Sequence, residues 1–218
     1  MVIAIVAILA AILLPSLAHG KESARGVICI TNIRQFGLGS MVYANDYRSR
    51  LPNFRDWLCV KLGDLSTGKL YPYVGAKKSY LCPTDALEIS SKKKILIPSL
   101  RGLGGPGGHL ALRDYSYAMN CCLCHNEDIG GFVAPSQTLL FTEPLMATND
   151  YSGQVGPTFG SKTLTIRHNK KGHYQMTDGH AERVGHAQSV ALEKKKLFWF
   201  PTTKTLGPGG NDMSVGLQ

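Results

Sequence analysis

The first eighteen residues, MVIAIVAILAAILLPSLA, contain no charged side chain. At about 1.5 Å per residue, a helix of this length spans roughly 27 Å, which is close to the hydrocarbon thickness of a bilayer. A cleaved secretory signal would begin with basic residues, and none precedes this apolar segment. We therefore predict a membrane-spanning helix that is kinked at Pro15. A buried core helix of a soluble protein is the alternative.

The sequence also lacks the motifs of common enzyme active sites. It has no His-Glu-x-x-His helix, no Gly-x-Ser-x-Gly turn and no pair of carboxylates in a defined frame. The glycine-rich segment 99–109 is not followed by Gly-Lys-Ser/Thr, so it is not a phosphate-binding loop. We predict that the protein is not an enzyme, that it uses no cofactor, and that residues 99–109 form a flexible surface loop.

Negative charge is scarce relative to positive charge: 24 Lys and Arg stand against 15 Asp and Glu, giving a net charge of +9. Such a balance suits anionic partners, namely lipid headgroups, acidic polysaccharide or nucleic acid. The basic runs Lys92–Lys94 and Lys194–Lys196 are short and carry no interleaved aromatic residues. This pattern favours two solvated faces over a nucleic-acid site.

An apolar pattern continues beyond Gly20 at three- and four-residue spacing, which is typical of an amphipathic helix. We predict one helix from about residue 1 to about residue 46, with a membrane half (1–20) and an amphipathic continuation (21–48). Asn45-Asp46 and then Leu51-Pro52 supply its end. The predicted buried stripe comprises Val27, Ile30, Ile33, Gly37, Met41 and Ala44.

The remaining chain is rich in turn-forming residues, since the protein has 24 glycines and 11 prolines. We predict extended segments at 114–119, 138–142 and 173–184, and a short strand or an extended entry at 80–82. Asp178-Gly179 between two strand-like runs indicates a hairpin. The predicted fold class is α+β: a long N-terminal helix packed on a small antiparallel sheet in a head with long loops (49–205), followed by a flexible tail (206–218).

Four histidines, at positions 168, 173, 180 and 186, surround Asp178 in the sequence. We favour a structural role, in which Asp178 shapes the turn and His168 donates to a backbone carbonyl or a carboxylate. Zinc binding and acid–base chemistry remain alternatives. No metal site is predicted.

The six cysteines are Cys29, Cys59, Cys82, Cys121, Cys122 and Cys124. The run Cys-Cys-x-Cys-His at 121–125 could supply soft metal ligands, but a second separated Cys-x-x-Cys cluster is missing. In a head outside the cytoplasm we expect disulfide bonds, and we predict that Cys82 pairs with one of Cys121, Cys122 and Cys124. Unpaired core cysteines and metal binding remain the alternatives to disulfide bonds.

The order of these features resembles the type IV pilins and the type II secretion pseudopilins. In particular, His168, nine residues and then Asp178-Gly179 is similar to the C-terminal signature of a subfamily from planctomycete-type and lentisphaera-type bacteria. The other similar blocks are AIVAILAAILLPSLA, Cys29-x-x-Asn32-x-Arg34-Gln35-x-Gly37, Tyr43–Tyr47, Tyr80–Asp85 and Tyr115–Asn120.

This resemblance implies a non-catalytic subunit with a single anchor in the cytoplasmic membrane and a periplasmic or extracellular head. Its partners would be the lipid bilayer and other pilin-like or secretion-system subunits. The family's basic leader and assembly glutamate do not occur in the sequence as given, so either the true start lies upstream of Met1 or this copy has lost its processing site. The basic residues that follow the apolar run would by themselves orient the head to the cytoplasm, and here we follow the resemblance. The alternative is a tethered module that binds polysaccharide or nucleic acid and does not polymerise.

Overall fold

A computed structural model describes most of the chain outside its glycine-rich loop and its C-terminal segment. The described residues are 2–61, 63–91, 113–123, 127–146, 150, 152–157, 164–165, 167–204, 214 and 217–218. The predictions for the loop 99–109, for Lys92–Lys94 and for Cys124 fall outside these residues.

The chain begins with one helix, α1 (Val2–Asp46), which confirms the predicted single helix of about 46 residues. The helix continues through Pro15, and Ser16 next to it donates its hydroxyl to the Leu13 carbonyl at 2.8 Å. It ends where Arg48 and Ser49 adopt left-handed φ angles of 57° and 62°. The Ser49 amide donates to the Ala44 carbonyl at 2.8 Å and so caps one of the last free carbonyls.

Among the described residues, the second half of α1 forms the packed contact with the head, along a face with three- and four-residue spacing. The predicted stripe is correct at Ile33, Gly37 and Ala44, but Val27 is 61% exposed. Ile30 and Met41 are half-buried and pack against the core. The predicted stripe therefore lies along one side of the buried face, which also includes Cys29, Phe36 and Tyr43. The main buried positions are Gly26, Cys29, Ile33, Phe36, Ser40 and Tyr43.

A five-stranded sheet lies against this helix, in the order β3-β1-β2-β4-β5. Three of its pairings are antiparallel as predicted, whereas β1 and β3 run parallel, so the sheet is mixed. The far side of β2 is already occupied by β4, so β3 pairs at the edge formed by β1. The strands are β1 (Ala118–Asn120), β2 (Leu139–Thr142), β3 (Gln154–Val155), β4 (Lys171–Met176) and β5 (Ala181–Gly185).

The predicted hairpin is confirmed between β4 and β5, whose residues pair from Lys171–Gly185 to Gln175–Ala181. In its turn, Gly179 has a φ of 96°, which favours glycine. The Asp178 side chain accepts a hydrogen bond from the His180 amide at 3.1 Å, so it shapes the turn as predicted.

The core lies between α1 and the sheet and is centred on Phe36. The ring of Phe36 contacts four aromatic side chains at centroid distances from 4.7 to 5.8 Å, and its contacts with Trp57 and Tyr80 are edge-on. Edge-on and offset aromatic contacts are favourable beyond the area that they bury. One helical side chain therefore joins α1 to two 3₁₀ helices, to the segment before β1 and to β2.

Short helices complete the described part of the head. They are α2 (Tyr71–Val74), α3 (Pro83–Ser91), α4 (His186–Glu193), α5 (Lys196–Trp199) and the 3₁₀ helices Phe54–Trp57, Leu65–Thr67, Lys77–Tyr80 and Ile129–Gly131. Residues 80–82 form no strand, because a 3₁₀ helix ends at Tyr80 and Pro83 opens α3, where proline costs no hydrogen bond. The alternative, an extended entry, is confirmed at Leu81, which has φ −117° and ψ 123°. Most of the predicted tail lies outside the described residues, but Gln218 exchanges backbone hydrogen bonds with Lys194 and Lys196.

Candidate functional site

Four side chains with metal-binding chemistry meet where α1 contacts the sheet. Cys29 lies on α1, Cys82 directly precedes α3, Glu143 directly follows β2, and His168 lies in the turn before β4. All four are fully buried. Their donor atoms lie within 4.8 Å of one another. We call these residues the Cys29 cluster.

The donor atoms of the Cys29 cluster face a common point. The Sγ atoms of Cys29 and Cys82 are 2.8 Å apart. The Nε2 atom of His168 lies 3.5 Å from Cys82 Sγ and 3.2 Å from Glu143 Oε1. Two sulfurs, one imidazole nitrogen and one carboxylate oxygen are therefore arranged around one centre.

The imidazole and the carboxylate of the cluster are each oriented by a further group. His168 Nδ1 lies 2.8 Å from Glu22 Oε1, and since a carboxylate only accepts, Nδ1 carries the proton. Thr84 donates to the same Glu22 oxygen at 2.8 Å. On the other side, His173 Nδ1 lies 3.1 Å from Glu143 Oε2. These contacts fix the ring of His168 and the plane of Glu143.

A glycine on α1 allows His168 to lie this close to the helix. A Cβ atom added at Gly26 would lie 3.2 Å from His168 Cβ and 3.3 Å from its Cγ. Asn169 and Lys170 then turn the chain back into β4 with φ angles of 53° and 62°, the pair of positive values that a type I′ turn requires. The missing side chain at Gly26 and the tight turn at Asn169 and Lys170 together position the imidazole of His168.

The cluster is electrostatically complementary. Burial acts to raise the pKa of Glu143, but hydrogen bonds from His168 and His173 outweigh it and lower the pKa to about 2. Burial acts to lower the pKa of His168, but hydrogen bonds to Cys82 and Glu143 outweigh it and raise the pKa to about 10. The hydrogen bond with Cys29, together with burial, raises the pKa of the Cys82 thiol.

A second buried polar group adjoins the cluster on α3. The Asp85 carboxylate accepts from Arg113 at 2.5 and 2.9 Å, from Arg167 at 2.7 Å and from Ser116 at 2.7 Å. Ser116 in turn accepts from the Cys82 amide at 2.9 Å. Cys82 directly precedes α3, and Arg167 directly precedes His168. The network around Asp85 therefore holds the backbone at two of the four cluster residues.

The residues of the His-x9-Asp-Gly signature do not form one site. His168 is buried before β4, whereas Asp178 and Gly179 lie in the exposed turn after it. At about 3.3 Å per residue, a six-residue strand separates these ends by roughly 20 Å. The nine-residue spacing thus corresponds to one strand with a turn at each end.

The predicted histidine cluster is likewise divided. His168 and His173 lie together, with ring centroids 5.0 Å apart, and His168 contacts carboxylates as predicted. His180 instead pairs with Asp178 at 2.6 Å on the surface, and His186 is exposed at the start of α4.

The predicted disulfide between Cys82 and the 121–124 group is not formed. Cys82 is a buried thiol that lies against Cys29, and Cys122 is also a thiol. Cys121 and Cys122 follow β1 in the core, and Cys124 lies outside the described residues. Sequence reasoning missed Cys29 and Glu143 as site residues: Cys29 was noted only as part of a helix block of the family resemblance, and Glu143 stands in no motif with a recognisable spacing.

A separate feature of functional interest is the apolar surface of the first half of α1. Its most apolar eighteen-residue window has a mean hydropathy of 2.5, and none of it is buried against the head. Ten large apolar side chains there are between 52% and 86% exposed: Val2, Ile3, Ile5, Val6, Ile8, Leu9, Ile12, Leu13, Leu14 and Leu17. By length and composition, α1 can cross a membrane.

Comparison of the chain with protein-family models, with curated proteins and with solved structures found no match.

Proposed function

We propose that the protein is a non-catalytic, pilin-like or pseudopilin-like subunit, anchored in the cytoplasmic membrane by the first half of α1, with its head outside the cytoplasm. The observation that carries this proposal is the division of one continuous helix into two environments. Its first part is apolar on every side and touches almost nothing, whereas its second part forms a wall of the head's core.

Exposure of the first half to water would be costly. Burying a large aliphatic side chain stabilises by about 1.5–3 kcal/mol, so ten exposed ones together represent well over about 10 kcal/mol. A bilayer or the apolar core of a filament removes this surface from water. The helical backbone satisfies its own hydrogen bonds there, and Ser16 is satisfied by the Leu13 carbonyl.

The head first meets α1 where the apolar half ends. Asn169 donates to the His19 carbonyl at 3.3 Å and to the Ser23 hydroxyl at 2.9 Å. The neighbouring Lys170 and Lys171 are exposed, as is Lys21 on the helix. These lysines lie close to the end of the apolar half of α1, a level suited to anionic lipid headgroups. By charge alone they would favour a cytoplasmic head, so the proposed orientation rests on the family resemblance.

The outward face of α1 beyond the membrane supports contacts between subunits. Val27, Ile28, Leu38 and Val42 are 45–67% exposed and face away from the head. At about 100° per residue they lie within an arc of roughly 100°. An apolar stripe that continues from the membrane segment along the head is suited to packing against the same helix of another subunit. A tethered binding module that does not polymerise would not require this exposed apolar stripe.

The anchor is tested by fractionation of cells that express the full chain. We expect the protein in the membrane pellet after alkaline carbonate extraction, and protease added to spheroplasts should digest the head. A carbonate-soluble protein would contradict the anchor. A protected head would contradict the proposed orientation.

The subunit contacts are tested with single cysteines on two exposed apolar helix positions. Leu38→Cys on α1 should give disulfide-crosslinked dimers in membranes after mild oxidation, because each subunit then carries one introduced thiol. Val190→Cys on α4 is the matched control and should remain monomeric. If both variants stay monomeric while the chain is membrane-bound, the tethered binding module becomes the better explanation. Salt-sensitive binding of an acidic polysaccharide or DNA would then identify its ligand.

A further inference from the structure

We propose that the Cys29 cluster is a structural zinc site, with Cys29, Cys82, Glu143 and His168 as its four ligands. The proposal rests on the geometry of the head and is independent of the membrane anchor. Metal binding differs from the role expected from the sequence, in which the cysteines form disulfides and the histidines serve the turn.

The donor set has the chemistry that zinc prefers. Thiolate, imidazole and carboxylate are its usual ligands, and four protein ligands without an open position are typical of structural sites. In a tetrahedral site with Zn–S bonds of about 2.3 Å, two sulfurs lie about 3.8 Å apart. The sulfurs of Cys29 and Cys82, now at 2.8 Å, would separate by about 1 Å, which is within the reach of side-chain rotation.

The surroundings of the cluster support metal binding. A zinc-bound histidine almost always donates its other ring N–H to a carboxylate or carbonyl, which orients the ring. His168 does so to Glu22 at 2.8 Å while its Nε2 faces the cluster. Glu143 offers one oxygen to the centre and holds His173 with the other. On binding, zinc replaces the thiol protons and the Nε2 proton, which leave to solvent.

A disulfide between Cys29 and Cys82 is the competing chemistry for the same atoms. It would use the two sulfurs and leave His168 and Glu143 paired with each other at 3.2 Å, beside the sulfurs but not bonded to them. A divalent cation would instead use all four donor atoms, which lie within 4.8 Å of one another. The observations therefore favour the metal.

Zinc at this position would connect the parts of the head that lie far apart in the sequence. Its ligands come from α1, from the segment before α3, from the end of β2 and from the turn before β4. The docking of the head onto the helix would then depend on the metal, as it does in small zinc-stabilised domains.

The test uses the full chain purified in detergent with a reducing agent present, followed by metal analysis. We expect about one zinc per chain. Cys29→Ser and Cys82→Ser should each lose it, whereas Cys122→Ser, which changes a buried cysteine outside the cluster, should keep it. Should the cluster variants fail to fold, cobalt exchange into the unmodified chain decides, because two thiolate ligands give intense sulfur-to-cobalt absorption.

The orienting role of Glu22 gives a finer test. Glu22→Gln should weaken zinc affinity by about 10- to 100-fold, the usual effect of losing such a partner. Glu182→Gln on β5 should leave it unchanged. The proposal is overturned if the unmodified chain binds no zinc, if Cys29→Ser keeps full zinc, or if peptide mapping of freshly alkylated membranes shows a Cys29–Cys82 disulfide.

Discussion

Replacing Asp85 by asparagine removes the negative charge at the centre of the polar network on α3. In the structure this carboxylate is 1% exposed and accepts four hydrogen bonds, from Arg113, Arg167 and Ser116. Asparagine keeps the size of the side chain but offers one acceptor oxygen, and it turns N–H groups toward a guanidinium. Arg113 and Arg167 then lose the anion that they share, although Arg167 keeps its contact with Glu88 at 2.9 Å.

The structure allows the size of this effect to be worked out. Removing one partner of a buried ion pair costs about 3–5 kcal/mol, because the remaining charge loses its closest compensation in a low dielectric. For a chain of this length, 1 kcal/mol corresponds to a shift of about 2–4 °C in Tm, so Asp85→Asn should lower Tm by roughly 6–20 °C.

The assay is thermal unfolding of the full chain in detergent, followed by circular dichroism. Asp56→Asn is the matched control, because Asp56 makes the same type of contact to Lys69 at 3.1 Å, but on a surface where both side chains are about 35–41% exposed. Surface pairs contribute about 0–1 kcal/mol, so Tm should fall by no more than about 4 °C. An equal fall in Tm for Asp85→Asn and Asp56→Asn would refute the argument that burial makes the Asp85 contacts more stabilising.

Three further substitutions test other parts of the structure. Gly37→Ala would place a Cβ 2.5 Å from the Gln175 side chain and should destabilise by about 1–3 kcal/mol in thermal unfolding, whereas Gly20→Ala meets nothing within 4 Å and should not destabilise. Gly179→Ala in the hairpin turn, at a φ of 96°, should cost about 1–2 kcal/mol by the same assay, and an unchanged Tm would contradict the turn geometry. Ile8→Arg places a charge in the apolar half of α1 at a cost of about 2.5–3.5 kcal/mol and should reduce the carbonate-resistant fraction; full retention would count against a membrane span at this depth.

The candidate site shows which residue roles can be predicted from the sequence pattern and which cannot. Asp178 and Gly179 were assigned to a turn because their effect is local: one side chain bonds a nearby amide, and one residue adopts a positive φ. His168 was correctly expected to meet a carboxylate, but Glu22 and Glu143 could not be named. The first is 146 positions away and the second 25 positions away, and no spacing rule connects them.

The sequence alone determined the long helix, its apolar first half and the α+β class, because these follow from periodicity, turn residues and the absence of charge over a membrane length of chain. The tertiary structure decided the buried face of α1, the parallel position of β3 and the partner of Cys82. Each depends on which distant segments approach closely. Gly26 and Gly37 set that approach by their lack of a side chain, so the Cys29 cluster exists only once the head has packed onto the helix.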